Sequence, residues 1–124
     1  MKTSNWKNLL LLSEIINQPL KVEYTLSDLF LTKPKKVVED VETVIITMSD
    51  GYGAMIVGVA QTSPKDVYNK NLGREIAAGR LLKVWYDEKE DNDEMWVSED
   101  GEKTAFIFGV MPEGVDISDH MIYS

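Results

Sequence analysis

The chain has 124 residues, of which 44% are hydrophobic and 27% charged, and its formal net charge is -8. This length and composition fit a single domain spanning residues 1–124. The chain contains no cysteine, which excludes disulfides, thiolate catalysis and cysteine metal sites. The apolar run at residues 9–12 is far shorter than the ~20 residues of a membrane span, and no signal-peptide cleavage pattern follows it. We therefore expect a cytoplasmic protein without a membrane segment.

The acidity belongs to the C-terminal third. Residues 1–86 carry 11 basic and 9 acidic groups, whereas residues 87–124 carry 2 basic and 12 acidic groups, so the net charges are +2 and -10. An acidic block of this kind opposes general nucleic-acid binding, which needs a broad basic surface. A solvated acidic loop is the ordinary interpretation of residues 87–94, and a surface that mimics nucleic acid is the alternative.

The N-terminal half predicts one helix and a set of strands. A helix is expected from about Ser4 to Asn17, because apolar residues recur at helical spacing and Pro19 ends it. A short strand follows at Lys21–Tyr24, residues 26–30 are ambiguous, and the sequence around Pro34 predicts a loop. The β-branched run Thr43–Met48 is typical of a strand, and Ala54–Ala60 is its expected hairpin partner across a Gly-rich turn.

Residues 63–83 predict the central helix of the fold. Ser63 is a suitable N-cap, Pro64 suits the first helical position, and Asp66 completes a variant of the capping box. The core-facing stripe is expected at helical spacing, and it consists of Tyr68, Leu72, Ile76, Gly79 and Leu82. A second stripe of Gly73, Ala77 and Arg80 leaves room for the close approach of a strand, a second helix or a ligand.

Two further strands are expected after the helix. Residues 94–98 and 104–111 form the second hairpin, and both faces of its second strand are apolar, which indicates an interior position in the sheet. The sequence thus predicts an α+β domain with a small antiparallel sheet, a central capped helix and an N-terminal helix.

Candidate binding residues concentrate in the central helix. The segment 63–83 carries five basic and two acidic residues and holds both arginines of the chain, Arg74 and Arg80, together with Lys70. A guanidinium group is a planar fork that can bind two oxygens of a phosphate or carboxylate. Arginines paired with acidic neighbours for structural reasons are the commoner case, so that alternative stays open.

Several aromatic side chains could hold a nucleotide base. A purine binds well between an aromatic face and a guanidinium plane, and the candidates are Trp85, Trp96 and Phe106. Core packing is the alternative for each of them. His120, the one histidine, has no recognisable catalytic or metal-binding partners, so we expect no enzyme, no metal and no cofactor.

Residues 58–80, GVAQTSPKDVYNKNLGREIAAGR, resemble bacteriophage Thoeris anti-defence proteins. The resemblance covers about a fifth of the chain. It implies a non-enzymatic sponge that binds the cyclic ADP-ribose signal made by a host TIR-domain enzyme and that assembles as a dimer or higher oligomer. It transfers Arg74 and Arg80 to the ligand site, and Asn92 is a candidate for the base edge by residue type. The alternative is a protein inhibitor whose acidic C-terminal third blocks a DNA-binding host enzyme.

Overall fold

The computed structural model describes residues 20–49, 53–63, 65–87, 94–97, 100–102, 104–112 and 115. In chain order the elements are strand β1 (Leu20–Thr32), strand β2 (Lys35–Ser49), strand β3 (Ala54–Gln61), helix α1 (Lys70–Tyr86), strand β4 (Glu94–Val97) and strand β5 (Thr104–Phe108). The α+β class is therefore confirmed. The N-terminal helix expected at residues 4–17 lies outside the described residues.

The five strands form one mixed sheet in the order β1-β2-β3-β5-β4. The β1/β2, β2/β3 and β4/β5 pairs are antiparallel, as the two predicted hairpins require, and both hairpins are confirmed. The expectation of a wholly antiparallel sheet was wrong, because β5 runs parallel to β3. The connection between β3 and β5 passes through α1, and a helical crossover of this length brings the chain back in the same direction. β5 lies between β3 and β4, so its interior position is also confirmed.

The first hairpin is much longer than the sequence indicated. Instead of a short strand and a loop, β1 and β2 pair from Leu20 opposite Met48 to Thr32 opposite Lys35, and Lys33–Pro34 is the turn between them. The register shifts near Ser27, where Asp40 has a φ of 55° and the extra residue of a bulge is accommodated on β2. Pairing with β2, rather than the local sequence, keeps the whole of β1 extended.

Helix α1 begins at Lys70, so the prediction of a start at Ser63 was wrong. The side-chain oxygen of Asn69 accepts hydrogen bonds from the backbone N–H groups of Asn71 and Leu72, both at 3.1 Å. Ser63 serves a turn instead, since its carbonyl accepts a 2.9 Å bond from the Asp66 N–H. Asn is as good an N-cap as Ser, so capping preference alone does not decide between the two starts.

The helix contacts β3 and β2 through its small residues. Gly58 of β3 lies under the helix, where a Cβ atom would overlap the carbonyl oxygen of Ala77, and Gly73 lies over Val44. The close approach expected at the Gly73–Ala77 stripe is therefore made by strands of the chain's own sheet. The apolar core on this side of the sheet comprises Val44, Ile46, Met48, Ile56, Ala60, Ala77, Ala78, Leu81 and Leu82.

The same contact rotates the helix away from the predicted core stripe. Of the predicted stripe Leu82 is buried, but Ile76 is 39% exposed, whereas Ala77, Ala78 and Leu81 are completely buried. The buried face that results combines the small residues Ala77 and Ala78 with Leu81, and Gly58 of β3 lies against the backbone of Ala77 and Leu81. A second buried cluster occupies the opposite face of the sheet and comprises Ile45, Met55, Val57, Ala105 and Ile107.

Candidate functional site

A cavity of about 370 Å³ lies between the C-terminal half of α1 and the end of β3. The pairing of β3 with β5 runs only from Ala54 opposite Phe106 to Ile56 opposite Phe108. Among the described residues, the rest of β3 therefore has no strand on this side. The space that a strand would fill is left as a recess beside the helix.

The recess begins at Gly109, where the pairing of β5 with β3 has ended. Gly109 follows β5 directly, has a φ of 107°, and lies so close to β3 that a Cβ atom would overlap the carbonyl oxygen of Val57. Only glycine combines this left-handed conformation with so close a contact. The chain turns away from β3 there and forms the outer wall of the cavity with Val110 and Pro112.

The cavity combines apolar walls with three charged side chains from one face of the helix. Arg80 and Lys83 lie on α1 and Asp87 is its C-cap, and their spacing of three and four residues places them on one side of the end of the helix. The apolar lining comprises Val57, Val59, Val84, Val110 and Pro112, and Gln61 completes the rim. Two cations and one carboxylate give the lining a net charge of +1 in a molecule whose net charge is -8.

Arg80 is held in place by the backbone of β3. Its guanidinium donates a 2.6 Å hydrogen bond to the carbonyl oxygen of Val59. A guanidinium carries five N–H donors, so one bond to the protein leaves donors for a ligand. Arg80 is therefore fixed at the cavity wall with capacity to bind an anion.

Gln61 belongs to a polar network that connects β1, β2 and β3. Its side-chain amide donates to the Ser27 hydroxyl at 2.9 Å and to the Asp28 carbonyl at 2.8 Å. The Ser27 and Thr43 hydroxyls share a buried 2.6 Å bond, and Thr43 donates onward to the Val41 carbonyl at 3.0 Å. This network fixes the position of one side of the rim.

The two predicted arginines do not meet at one site. Arg74 precedes Arg80 by six residues, about 240° around the helix, and it is not among the residues that line the cavity. Its guanidinium donates a 2.8 Å bond to the side chain of Asn71, and its Nε is buried without a hydrogen-bond partner in the described structure. This arrangement ties Arg74 to its own helix.

None of the other predicted ligand residues whose side chains the structure describes lines the cavity. The Lys70 ammonium lies 4.1 Å from the centre of the Tyr24 ring, which is a cation–π contact. Trp85 is half-buried and packs against the helix-side core, as the alternative of core packing predicted. Phe106 is half exposed on β5, the Trp96 backbone pairs with Ala105, and Asn92 lies outside the described residues.

The sequence did not single out Lys83, Asp87 or the wall formed by residues 109–112. Lys83 had been counted within the basic segment, and its spacing of three residues from Arg80 was the available signal. No sequence signal indicated this wall, since its position depends on where the chain leaves the sheet.

A second cavity of about 270 Å³ lies at the other end of the helix, and among its lining residues are Asp66, Asn69 and Ile76. It contains a carboxylate but no cation, so it is less suited to an anion. Within the described ranges, no group of three acidic or histidine side chains could hold a metal ion, and no helix is long and apolar enough to cross a membrane.

Comparisons of the chain with protein-family models, with curated proteins and with solved structures find no match.

Proposed function

We propose that the protein binds a nucleotide of the cyclic ADP-ribose type in the cavity beside Arg80 and sequesters it without cleaving it. In this proposal it is a bacteriophage anti-defence protein that withholds a signal from the host. The observation that carries it is the placement of Arg80 and Lys83 in an otherwise largely apolar cavity of about 370 Å³. Ligand pockets usually measure about 300–1,000 Å³ and combine apolar walls with a few well-placed polar groups.

The lining divides into parts that suit the parts of such a ligand. Arg80 and Lys83 would bind the diphosphate, because both are cationic donors on one helix face. The valine side chains and Pro112 offer an apolar surface for the base. Asp87 accepts hydrogen bonds only, so it would bind the ribose hydroxyls or an exocyclic amine. The described lining contains no nucleophile paired with a base, and sequestration needs neither.

The test is to mix purified protein with cyclic ADP-ribose isomers and measure free nucleotide by chromatography, before and after heat denaturation. Wild type should deplete the free nucleotide and release it intact on heating. Arg80→Glu and Lys83→Glu should each weaken binding about 10- to 100-fold or more, since a charge-assisted hydrogen bond contributes about 1.5–3 kcal/mol and the reversed charge also repels the ligand.

Two matched variants locate the site. Lys65→Glu makes the same charge change at an exposed turn residue and should leave binding nearly unchanged. Arg74→Glu should have a small effect if the cavity is the site, and a large one if the ligand binds on the other side of the helix. Equal free nucleotide with and without wild-type protein would refute the proposal, and degraded nucleotide would indicate an enzyme.

The acidic inhibitor remains the alternative proposal, and the charge of -10 on residues 87–124 favours it. It predicts a complex with a basic, DNA-binding host protein and no depletion of nucleotides. If the wild-type protein binds such a host protein in a pull-down and binds no nucleotide, that result would support this function in place of the first.

A further inference from the structure

Strand β3 has an unpaired edge beside the cavity. Its pairing with β5 ends at Ile56 opposite Phe108, but β3 continues to Gln61 without a strand on that side among the described residues. The Val57 carbonyl lies against Gly109, so the free part of the edge begins after Val57. The unpaired N–H and C=O groups of a strand edge are a template for pairing with a further extended chain.

The backbone groups of Val59 and Gln61 point into the recess. Neighbouring residues of a strand direct their N–H and C=O groups to opposite sides. The Thr62 N–H donates a 2.9 Å bond to the Glu42 carbonyl of β2, so the backbone groups of Gln61 and Val59 point away from β2. The Arg80 guanidinium bonds to the Val59 carbonyl from the cavity wall, which agrees with this direction. A carbonyl oxygen has two lone pairs, so Val59 keeps one acceptor position and its N–H for a partner.

The two faces of the sheet differ in chemistry along this edge. On the face that carries α1, Arg80 and Lys83 lie in the cavity lining together with the carboxylate of Asp87. On the opposite face, Val57 belongs to the second buried cluster and Val59 packs against it. Side chains of a strand alternate between the two faces of a sheet. A strand added at this edge therefore meets a net positive lining with every second side chain and an apolar cluster with the others.

We propose that the edge from Val59 to Gln61 binds an extended peptide in which acidic residues alternate with β-branched apolar residues. The peptide backbone bonds to the N–H and C=O groups of the edge, its carboxylates contact Arg80 and Lys83, and its apolar side chains extend the second buried cluster. In this mode of recognition, main-chain hydrogen bonds supply affinity and alternate side chains supply specificity. The proposal does not rest on nucleotide binding, but both ligands need the same recess and should exclude each other.

Synthetic peptides test the charge and the backbone pairing of this partner separately. The probe is a blocked peptide of about six residues, a common strand length, that alternates valine and glutamate. Calorimetry with the full chain should show half-saturation below about 1 mM. A second peptide carries lysine in place of each glutamate, and a third has N-methylated peptide bonds, which keep every side chain but donate no backbone hydrogen bond. Each change should weaken binding at least ~10-fold, because charge-assisted or main-chain hydrogen bonds are lost.

Two pairs of variants locate the peptide on the protein. Gln61→Pro removes an N–H of the edge, whereas Gln61→Ala keeps it, and both lose the same side-chain amide. Proline is tolerated at an edge position, and Gln61→Pro should bind the peptide about 3- to 10-fold more weakly than Gln61→Ala, the effect of one hydrogen bond. Lys83→Gln should weaken binding at least ~3-fold. Lys65→Gln makes the same change at an exposed turn residue outside the lining and should bind as wild type.

Amide hydrogen exchange in the full chain identifies the contact itself. The Val59 and Gln61 amides should exchange at least ~10-fold more slowly when the peptide is saturating, because a bonded N–H is protected. Circular dichroism checks that the variants are folded, and if Gln61→Pro unfolds, the N-methylated peptide decides the role of the backbone.

Three results would overturn the proposal: no binding at ~1 mM peptide, equal affinity for the N-methylated peptide, or unchanged exchange of both amides. Slow exchange in a free protein whose mass exceeds 14.0 kDa would place a second copy on this edge and would overturn it as well. Nucleotide binding without peptide binding would overturn this proposal and leave the proposed function standing.

Discussion

The positions of Arg74 and Arg80 on the helix determine which of the two can contact a ligand in the cavity. Both belong to the same helix and the same basic segment, but their spacing of six residues places them about 240° apart around the helix. The Arg80 guanidinium is anchored by the Val59 carbonyl beside a cavity, whereas the Arg74 guanidinium is anchored by Asn71 away from it. Since the chain has no third arginine, a second guanidinium at the cavity could come only from another copy, and Arg80 with Lys83 is the cationic pair that the fold assembles.

Tyr68 gives the molecule a specific response to alkaline pH. Burial, with smaller effects from the charge of Glu42 and from Tyr24, raises the pKa of the Tyr68 phenol above its ordinary value. The folded state therefore holds this proton more tightly than the unfolded state, and the resulting stability is present below the unfolded pKa of about 10 and lost as pH rises past the folded pKa. Between pH 8 and pH 11, Tyr68→Phe should lose less stability than wild type.

Urea unfolding at the two pH values measures this difference. Tyr86→Phe, at an exposed tyrosine of the same chain, is the matched control and should follow wild type. If Tyr68→Phe loses as much stability as Tyr86→Phe, the ionisation of Tyr68 does not contribute to alkaline unfolding.

At the scale of elements, the contact between α1 and β3 depends on Gly58. Gly58→Ala would place a methyl group against the backbone of Ala77 and Leu81, which cannot move without displacing the helix. We expect a loss of about 1–3 kcal/mol or more in the free energy of unfolding. Gly73→Ala is the informative comparison, because its methyl group would meet the end of the Val44 side chain at 2.8 Å. Its crowding is offset by about 1 kcal/mol of helix propensity, so it should be close to neutral.

Urea titrations of both variants and wild type test the ranking. If the two alanine variants lose equal stability, the helix does not depend on Gly58 in the way the structure indicates. If the urea concentration at the midpoint of unfolding falls in Gly58→Ala while the dependence of the unfolding free energy on urea is unchanged, the native state alone is destabilised.

The elements that the sequence predicted well are those whose signal is local. The β-branched run at Thr43–Met48 and its apolar partner at Ala54–Ala60 flank a Gly-rich turn, and both hairpins followed from such signals. The start of α1 and the rotation of its buried face could not be predicted in this way. Ser63 and Asn69 are equally good N-caps, and the buried face is set by Gly58 of β3. The cavity could not be predicted either, since it exists where β5 ends early and Gly109 turns the chain away.

At the scale of the whole molecule, the charge of -8 and the local charge of +1 at the cavity act on an anionic ligand in opposite directions. Their ranges differ with ionic strength, because the Debye length is about 30 Å at 0.01 M salt and about 8 Å at 0.15 M. At low salt the ligand experiences the repulsion of the whole molecule, whereas at physiological salt it experiences mainly Arg80, Lys83 and Asp87. We therefore expect a dianionic nucleotide to bind more weakly at 0.01 M salt than at 0.15 M, the reverse of an ordinary cationic site.

Calorimetric titration of cyclic ADP-ribose at the two salt concentrations measures the sign of this effect. The double variant Glu39→Gln and Glu102→Gln removes two exposed carboxylates that do not line the cavity, so it should reduce the difference between the two affinities. The acidic inhibitor requires the opposite sign for its own complex, because attraction between an acidic surface and a basic protein weakens as salt is added. A nucleotide that bound more tightly at low salt would show that the charge of the whole molecule does not reach the cavity, and that the acidic residues face away from it.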